Sequence, residues 1–341
     1  MWVQINNCIL APFYSQSDYK KWNGFRLLSV DGSLLELPPE SALYKAYGKL
    51  NPQARLPGAR LSQLYDPLNQ LTLDVQESPY STGERELAFR HLARVENNDL
   101  LLFDRGYQCH WLFSAILQKQ AHFCARVTHD FNNQVKAFVG SDKVSSIVNL
   151  ARSKDKNNEF YRLKSLSCDS IRVRLIKVEL SSGEVEILAT SLIDDKAYPN
   201  ALFKALYHLR WDIEEDYKRQ KCRIFIENFT GLTPLAIKQD IQAQVVSKNM
   251  ATLWKLAAQV HVSERNKNCR RDYKVNFSYL LGKFKDNFVK SILGGLNMNA
   301  MMKLVEQLSS STHAFRPERC MERRPKKNCK WQHPMGYKPA F

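Results

Sequence analysis

Two aspartates stand at the ends of apolar runs, where carboxylates can do metal chemistry. Asp31 lies in FRLLSVDGSLLELP, which predicts two short strands around the turn-forming group Asp31-Gly32-Ser33, and Asp104 ends the run NDLLLFD. If the two strands are neighbours, both carboxylates converge at one edge of a sheet, and burying them is costly unless a cation lies between them. Such a pair predicts Mg²⁺, which favours carboxylate oxygens, water and phosphate. The alternative is two ordinary aspartates at a turn and a strand end.

A third carboxylate comes from the charged segment LYHLRWDIEEDYKRQK, residues 206–221, which predicts a helix. On a helical wheel that starts at Tyr207, successive residues turn by about 100°. Arg210, Glu214 and Lys221 then fall at about 300°, 340° and 320°, in one stripe beside the apolar face. The stripe leaves out three other acids of the segment, which are Asp212, Glu215 and Asp216. The alternative is that Arg210 and Glu214 are an ordinary i, i+4 pair that supports the helix.

The residues around Asp31 and Asp104 predict alternating strands and helices. A strand pair, a helix and the strand that ends at Asp104 come first, and a second helix and a further strand follow. These elements are ARLSQLYD, LTLDVQES, ERELAFRHLARV, LLLFD, HWLFSAILQKQ and AHFCARVT. Early strands followed by alternating units predict an α/β fold, a mixed sheet with helices on its faces, in the order found in ribonuclease-H-like folds.

The second half of the chain predicts a different organisation. Residues 128–195 predict a β-rich insertion with a hairpin, and Asn200 is expected to cap one long helix at 201–222. Another helix begins at Pro234, directly after Thr233. We therefore expect five segments: an N-terminal remnant at 1–24, the catalytic core in two parts at 25–127 and 196–260, the insertion at 128–195, and a basic C-terminal region at 261–341.

The charge of the 341-residue chain is strongly positive and uneven. The net charge is +16; residues 201–341 hold 26 Lys and Arg against 12 Asp and Glu, whereas residues 1–200 hold 24 against 22. This excess favours a polyanion such as DNA or RNA as the partner, and the alternative is a soluble basic protein without a specific partner. The sequence shows no apolar window of about 18 residues, no leader peptide and no CxxC pair, which predicts a cytoplasmic protein with reduced thiols and no membrane contact.

The charged helix also matches a family signature. The pattern Y-x2-R-x3-E-x6-K is met by Tyr207, Arg210, Glu214 and Lys221. This pattern resembles the signature of the "insertion sequence four" family of bacterial DDE transposases. VDGSLLELP around Asp31 resembles the first catalytic block of that family, and LLFDRGY around Asp104 resembles the second. The resemblance has three blocks in the family's order and covers nearly the whole chain from about residue 25.

The resemblance implies a fold and a reaction. The fold would be a ribonuclease-H-like core, with the β-rich insertion before the last catalytic helix and a helical, basic C-terminal region. Asp31, Asp104 and Glu214 would be catalytic and would bind two Mg²⁺ ions, for which Mn²⁺ can substitute. The ions would activate water, and then a 3′-hydroxyl, for in-line attack on phosphorus. The protein would cut out and insert its element as a DNA transposase.

The resemblance also implies the partners. Double-stranded DNA at terminal inverted repeats, and target DNA, would be bound by a homodimer in a synaptic complex, in a bacterial cytoplasm and associated with the nucleoid. Tyr207, Arg210 and Lys221 would contact phosphates near the cut. Arg105, directly after Asp104, is a further candidate for a phosphate contact.

Two other functions stay open at this point. One is a catalytically inactive or truncated transposase that acts as a DNA-binding regulator of element ends, and the other is a nuclease of the same fold without strand transfer. The intact set of three acids favours the enzyme. Relatives carry an N-terminal helical DNA-binding region, whereas 24 residues precede the first core strand here, which favours the regulator.

Relatives that form a DNA hairpin stack a flipped base on a tryptophan of the insertion. The insertion at 128–195 contains no tryptophan. The residues that could stack a base there instead are Phe131, Phe138 and Phe160. The hairpin step itself is implied by the relatives alone.

Overall fold

The computed structural model describes residues 1–152, 161, 164–167, 169–180, 182–294 and 297–316. The strands are β1 (Arg26–Glu36), β2 (Gly58–Asp66), β3 (Leu71–Pro79), β4 (Asp99–Phe103), β5 (His122–Val127), β6 (Ser145–Leu150), β7 (Ile171–Glu179), β8 (Val185–Thr190), β9 (Tyr273–Val275) and β10 (Thr312–Ala314). The helices are α1 (Trp2–Gln16), α2 (Ser41–Tyr47), α3 (Glu84–His91), α4 (His110–Gln118), α5 (Asn133–Val139), α6 (Ala201–His208), α7 (Trp211–Arg219), α8 (Pro234–Arg265), α9 (Phe277–Gly294) and α10 (Met298–Ser310).

The centre of the molecule is an eight-stranded sheet with the order β3-β2-β1-β4-β5-β8-β7-β6. Strands β1, β4 and β5 run parallel to one another, and β2 is antiparallel to both β1 and β3. These first five strands, with helices on both faces, have the arrangement of a ribonuclease-H-like core. The predicted fold class, a mixed sheet flanked by helices, is confirmed.

Strand β1 is continuous, whereas the sequence predicted two short strands around a turn at Asp31-Gly32-Ser33. It pairs with β2 through Asp31↔Gln63 and Gly32↔Ser62 without interruption. The preference of an Asp-Gly pair for a turn is weak compared with a full ladder of hydrogen bonds to a neighbouring strand, so the tertiary pairing decides the conformation.

The sheet carries a hydrophobic core on each face. Alternate residues of β1 and β4, among them Leu28 and Leu101, pack against α3 and α4, whereas Leu27 and Leu102 pack on the opposite face against α6. Both faces of the parallel strands are therefore covered, which explains the unbroken apolar runs in their sequences.

The β-rich region after β5 extends the same sheet. Strand β8 pairs antiparallel with β5, and β7 and β6 follow outward in antiparallel order. The hairpin of β7 and β8 is as predicted, and α5 precedes these strands. The strands lie in the core sheet because the edge of β5 offers an unpaired ladder to β8.

The helix predicted at 201–222 is broken into α6 and α7. Between them, the amides of Leu209 and Arg210 bond to carbonyls three residues earlier, a tighter turn than in an α-helix. A tighter turn changes the angular relation between Tyr207 and Glu214 that a constant wheel assumes. Beyond α7, residues 220–224 form a π-helical turn.

The two predicted helix starts have different outcomes. Thr233 caps α8, with its hydroxyl accepting from the amide of Ala236, and Pro234 is the first helical residue, as predicted. Asn200 is the N-cap residue of α6, as predicted, but its side chain makes no capping hydrogen bond. Its side-chain oxygen accepts a hydrogen bond from the guanidinium of Arg174 in β7 instead.

Residues 1–24, predicted as a remnant, include the ordered helix α1. The buried Asn6 amide donates to the carbonyls of Thr72 and Leu73, both at 3.2 Å, and accepts from the amide of Asn249 at 2.8 Å. These polar contacts join α1 to β3 and α8, which explains why the sequence of α1 shows little apolar pattern. None of the helices within the described ranges is long and apolar enough to cross a bilayer.

Candidate active site

Asp31 and Asp104 occupy matching positions on neighbouring parallel strands. The register pairs Ser29 with Leu102, and each aspartate lies two residues further along its own strand direction. Because β4 ends at Phe103, both side chains reach the carboxyl edge of the sheet. One oxygen of each carboxylate accepts a backbone amide at 2.8 Å, from Gly32 for Asp31 and from Gly106 for Asp104.

Glu214 on α7 joins this pair through Arg210. The guanidinium of Arg210 lies 3.0 Å from a carboxylate oxygen of Glu214 and 3.9 Å from one of Asp31. Burial raises the pKa of Asp31 to about 7; the Gly32 amide and Arg210 act in the opposite direction, and Asp104 and Glu214 raise it further. Arg210 therefore lies between Asp31 and Glu214, and Asp104 is near enough to Asp31 to act on it electrostatically.

The helix that carries Glu214 is tied to the strand that carries Asp31. The hydroxyl of Tyr217, one turn after Glu214, donates to the backbone carbonyl of Asp31 at 2.8 Å. The ring is buried among residues of β1, β2 and α8. This bond sets the distance between the first and third acids.

The other predicted site residues take different places. Tyr207 is buried, 6% exposed, with its ring 5.7 Å from the Arg210 guanidinium. Lys221, which follows α7, lies beside the end of β1. Its ammonium donates to the Leu34 carbonyl and stands 3.7 Å from Glu227. Arg105 is exposed in the turn after Asp104. Of the predicted cations, Arg210 is the one that contacts the predicted acids Asp31 and Glu214.

Asp216 is a residue that the sequence interpretation missed. It is 1% exposed, and its carboxylate lies 2.5 Å from the ammonium of Lys248, which is 2% exposed. Lys248 also donates to the hydroxyl of Thr72, and the amide of Gln220 donates to Asp216 at 2.6 Å. This sealed network fastens α7 to β3 and α8. Two carboxylates two residues apart on one helix therefore have opposite environments.

Glu84, at the start of α3, is a fourth carboxylate beside the site. Its oxygens lie within 3.6 Å of the positions that side chains would take at Gly32 and Gly106, and Arg60 holds it at 2.9 Å. Those two glycines let the carboxylate approach both catalytic strands. The segment ERELAFRHLARV predicts the helix, and Glu84 is its first residue after the N-cap Gly83.

A cleft of about 510 Å³ opens next to the turn that follows Asp104. Its walls include three aromatic side chains and two arginines, which are Trp111, Phe131, Tyr161, Arg85 and Arg152. Phe138 is buried in the core, which excludes it from stacking on a base. Phe160 lies outside the described residues.

No three His, Cys, Asp or Glu side chains of the described ranges stand close enough to form a ready-made metal site. The Arg210 guanidinium lies between Asp31 and Glu214, where a cation would bridge them. The chemistry of the donors fits a hard divalent ion, because carboxylates from three elements repel one another at this edge. An ion there would replace Arg210 as the counter-charge of Asp31 and Glu214.

Comparisons with known proteins find two curated relatives of this chain. The transposase InsG of insertion sequence element IS4 from Escherichia coli K12 is 22% identical over 243 residues, which are 70% of this chain and 54% of InsG. InsZ from the same organism is 28% identical over 102 residues, 29% of this chain and 34% of InsZ. The chain therefore spans about half or less of the length of these relatives.

One solved structure, a cryo-EM structure of a piggyBac transposase synaptic complex with hairpin DNA, covers 83% of this chain and 57% of its own, at 9% identity and a TM-score of 0.46. The family model described as "Transposase DDE domain" matches residues 22–249, which include Asp31, Asp104 and Glu214. The match covers more than half of the chain. The chain belongs to the family of transposases with a DDE domain.

Proposed function

We propose that this protein is a DNA transposase that hydrolyses phosphodiester bonds at the ends of an insertion sequence and then transfers the freed strands. The observation that carries the proposal is the matched position of Asp31 and Asp104 on adjacent strands, with Glu214 facing them from α7. Members of this family generally use divalent metal ions. Here Asp31, Asp104 and Glu214 would hold two Mg²⁺ ions, with Mn²⁺ as a substitute.

The bound ions would lower the pKa of the attacking water and stabilise the leaving oxygen, which phosphodiester cleavage requires. The protein's own residues supply position and charge. Gly32 and Gly106 amides orient the two aspartates, and Tyr217 holds the helix of Glu214 against β1. Arg210, released from Asp31 and Glu214, would turn its guanidinium to the phosphate and bind two of its oxygens.

The DNA would approach along a surface with several further cations. Lys221 and Arg105 flank the carboxyl edge of the sheet and would contact phosphates, while the buried Tyr207 would support Arg210 from below. Trp211, 50% exposed beside Arg210, offers a face on which a base can stack. Electrostatic attraction by the net charge of +16 favours this encounter.

The proposed substrates are the terminal inverted repeats of the element and a target duplex, brought together in a homodimeric synaptic complex. If cleavage passes through a hairpin, the cleft lined by Trp111 and Phe131 next to the Asp104 turn has aromatic walls suited to a flipped base. Arg85 and Arg152 in that cleft suit the adjoining phosphates.

The test is cleavage of DNA that carries the flanking terminal repeats by the purified chain in Mg²⁺ or Mn²⁺. We expect cutting that Glu214→Ala abolishes. Glu215→Ala is the matched control, because Glu215 is exposed, points away from the site and pairs with Lys218. Binding of the repeats without cutting, in either metal, would overturn the enzymatic proposal.

The second candidate function is a DNA-binding regulator without catalysis. The ion pairs of Arg210 with Asp31 and Glu214 favour it, since a site neutralised by its own arginine can bind DNA without metal. This candidate predicts that the wild type and Glu214→Ala bind the repeats equally and that neither cuts them.

A further inference from the structure

A second group of cations lies on the side of α7 away from the three acids. Its centre is Gln70, in the turn between β2 and β3, which has a left-handed φ of 59°. The side-chain oxygen of Gln70 accepts hydrogen bonds from the ammonium of Lys255 in α8, at 2.6 Å, and from the guanidinium of Arg219 in α7, at 3.4 Å. One neutral oxygen is thus shared by two cations.

Two more lysines complete this group. The backbone of Lys20 exchanges two hydrogen bonds with the Asn69 side chain, next to Gln70. Lys274 lies in β9. Gln259, one turn after Lys255 in α8, donates to the carbonyl of Tyr273 and accepts from the amide of Val275, the two neighbours of Lys274. We call Lys20, Arg219, Lys255 and Lys274 the Gln70 basic cluster. Its members come from four separate parts of the chain.

The carboxylates nearby do not balance the Gln70 basic cluster. Asp216 lies 2.5 Å from Lys248 and 3.9 Å from Arg219. Asp212 acts on both Arg219 and Lys274, and Asp272 acts on Lys274, which leaves Lys20 and Lys255 without a carboxylate of their own in the described ranges. Lys255 has no carboxylate of the described residues within 4.0 Å.

Among these cations, Lys255 is the one whose pKa is lowered most clearly. Burial, together with repulsion by Arg219, Lys274 and Lys20, lowers its pKa to about 8, although Asp216 acts in the opposite direction. A fold that holds an ammonium in such surroundings is stabilised by an anion that binds there.

We propose that the Gln70 basic cluster binds the phosphodiester backbone of DNA, at a place separate from the cutting site. Four cations exceed the charge of one phosphodiester, so the cluster suits consecutive phosphates of one strand. The inference rests on the proposed function for the identity of the polyanion. Because α7 carries Glu214 on one side and Arg219 on another, DNA bound to the cluster would contact the same helix that carries Glu214.

The test compares Lys255→Met with Lys267→Met, which removes the same charge from a lysine that is 68% exposed and outside the cluster. DNA affinity is measured by fluorescence anisotropy over a range of salt concentrations. Lys255→Met should weaken binding about tenfold near physiological salt and lower the slope of log K against log salt by roughly one, since one phosphate contact contributes about 0.9 to that slope. Lys267→Met should leave the slope unchanged.

Stability of the DNA-free protein gives a second readout. Lys255→Met should raise the melting temperature at pH 7, because it removes a repelled cation, whereas a merely structural lysine would lower it on replacement. Equal affinities and slopes for the two variants would overturn the proposal. A second result would also overturn it. Inorganic phosphate at constant ionic strength would stabilise the wild type but not Lys255→Met, while both proteins bound DNA with the same affinity. The cluster would then be a site for small anions.

The same samples separate this inference from the proposed function. Wild-type protein that cuts DNA normally, with Lys255→Met binding as tightly as Lys267→Met, would refute the cluster alone. Wild-type protein that binds but never cuts, with a reduced salt slope for Lys255→Met, would refute the enzyme and leave the cluster standing.

Discussion

Two carboxylate–cation pairs on one helix differ in almost every physical respect. Glu214 pairs with Arg210 at the edge of the sheet, with about a third of the carboxylate side chain exposed and a second, longer contact from Arg210 to Asp31. Asp216 pairs with Lys248 in a sealed interior, at 2.5 Å. In the first pair Glu214 is open to solvent although the Arg210 side chain is 7% exposed, so Glu214 can exchange its partner. In the second pair both partners are buried, and it cannot be opened without stranding a charge. A ligand can therefore replace one partner of the first pair, while the second pair keeps α7 attached to α8.

The largest expected effect concerns the exchangeable pair. Glu214→Gln should lower the single-turnover cleavage rate by at least about a thousandfold, or about 4 kcal/mol, because a neutral amide binds a divalent cation poorly. Its free energy of unfolding should change by less than about 1 kcal/mol, since the side chain is partly exposed. Urea denaturation measures this change in the free energy of unfolding. A large loss of stability would show that Glu214, like Asp216, is chiefly a structural residue.

The sealed pair should respond in the opposite way. Lys248→Met should lower the free energy of unfolding by about 3–5 kcal/mol, because it leaves Asp216 charged and buried. Asp216→Leu combined with Lys248→Met should recover most of that loss in urea denaturation. If the single variant lost less than about 1 kcal/mol, the pair would not be the fastening of α7 that the geometry indicates.

The double variant also separates stability from the positioning of Glu214. If the network serves only stability, cleavage should return together with stability. If it also positions Glu214, cleavage should stay low in a protein of normal stability, with DNA affinity unchanged.

A smaller effect is expected where α7 meets β1. Tyr217→Phe removes only the hydroxyl that donates to the Asp31 carbonyl, so stability should fall by about 1–2 kcal/mol. We expect a cleavage rate about tenfold lower, with DNA affinity unchanged, because the first and third acids lose a fixed separation. Tyr44→Phe is the control, since its hydroxyl also bonds a carbonyl, that of Arg55, far from the acids. Equal cleavage by both variants would contradict this role for Tyr217.

The smallest change in stability should come from the exposed residue next to Arg210. Trp211→Ala should leave the unfolding free energy within about 0.5 kcal/mol of the wild type. DNA binding should weaken by about 1–3 kcal/mol if a base stacks on the indole. Fluorescence anisotropy with the terminal-repeat duplex measures the DNA affinity. Leu235→Ala is the control, because Leu235 is similarly exposed but lies at the start of α8. An affinity equal to that of Leu235→Ala would rule out stacking on Trp211.

The sequence supplied the three acids because each belongs to a local pattern. Asp104 ends an apolar strand, Asp31 follows another apolar run, and Glu214 lies next to the apolar face of a helix, all of which can be read within a dozen residues. The convergence of Asp31 and Asp104 also needed only the rule that parallel neighbours share an edge, whereas the approach of Glu214 depends on the packing of α7. The turn predicted at Asp31 was wrong, because β2 lies 30 residues away in sequence and its ladder overrides the local preference.

Asp216 shows what local patterns do not contain. The helical wheel placed it away from the functional stripe, and an acid there would ordinarily face water. In the fold, α8 covers that side and places Lys248 against it, 32 residues further along the chain. Which charge is buried depends on the packing partner, and the partner is set by the whole topology.

The sequence by itself determined the fold class and the family, and it proposed the three acids, because strand ends, helical spacing and the family signature are short-range features. Only the tertiary structure decided that Arg210 bridges two of those acids, that Asp216 is sealed against Lys248, and that Lys255 and Arg219 meet at Gln70. Electrostatic energy depends on distance in space and on burial, and neither quantity follows from separation along the chain.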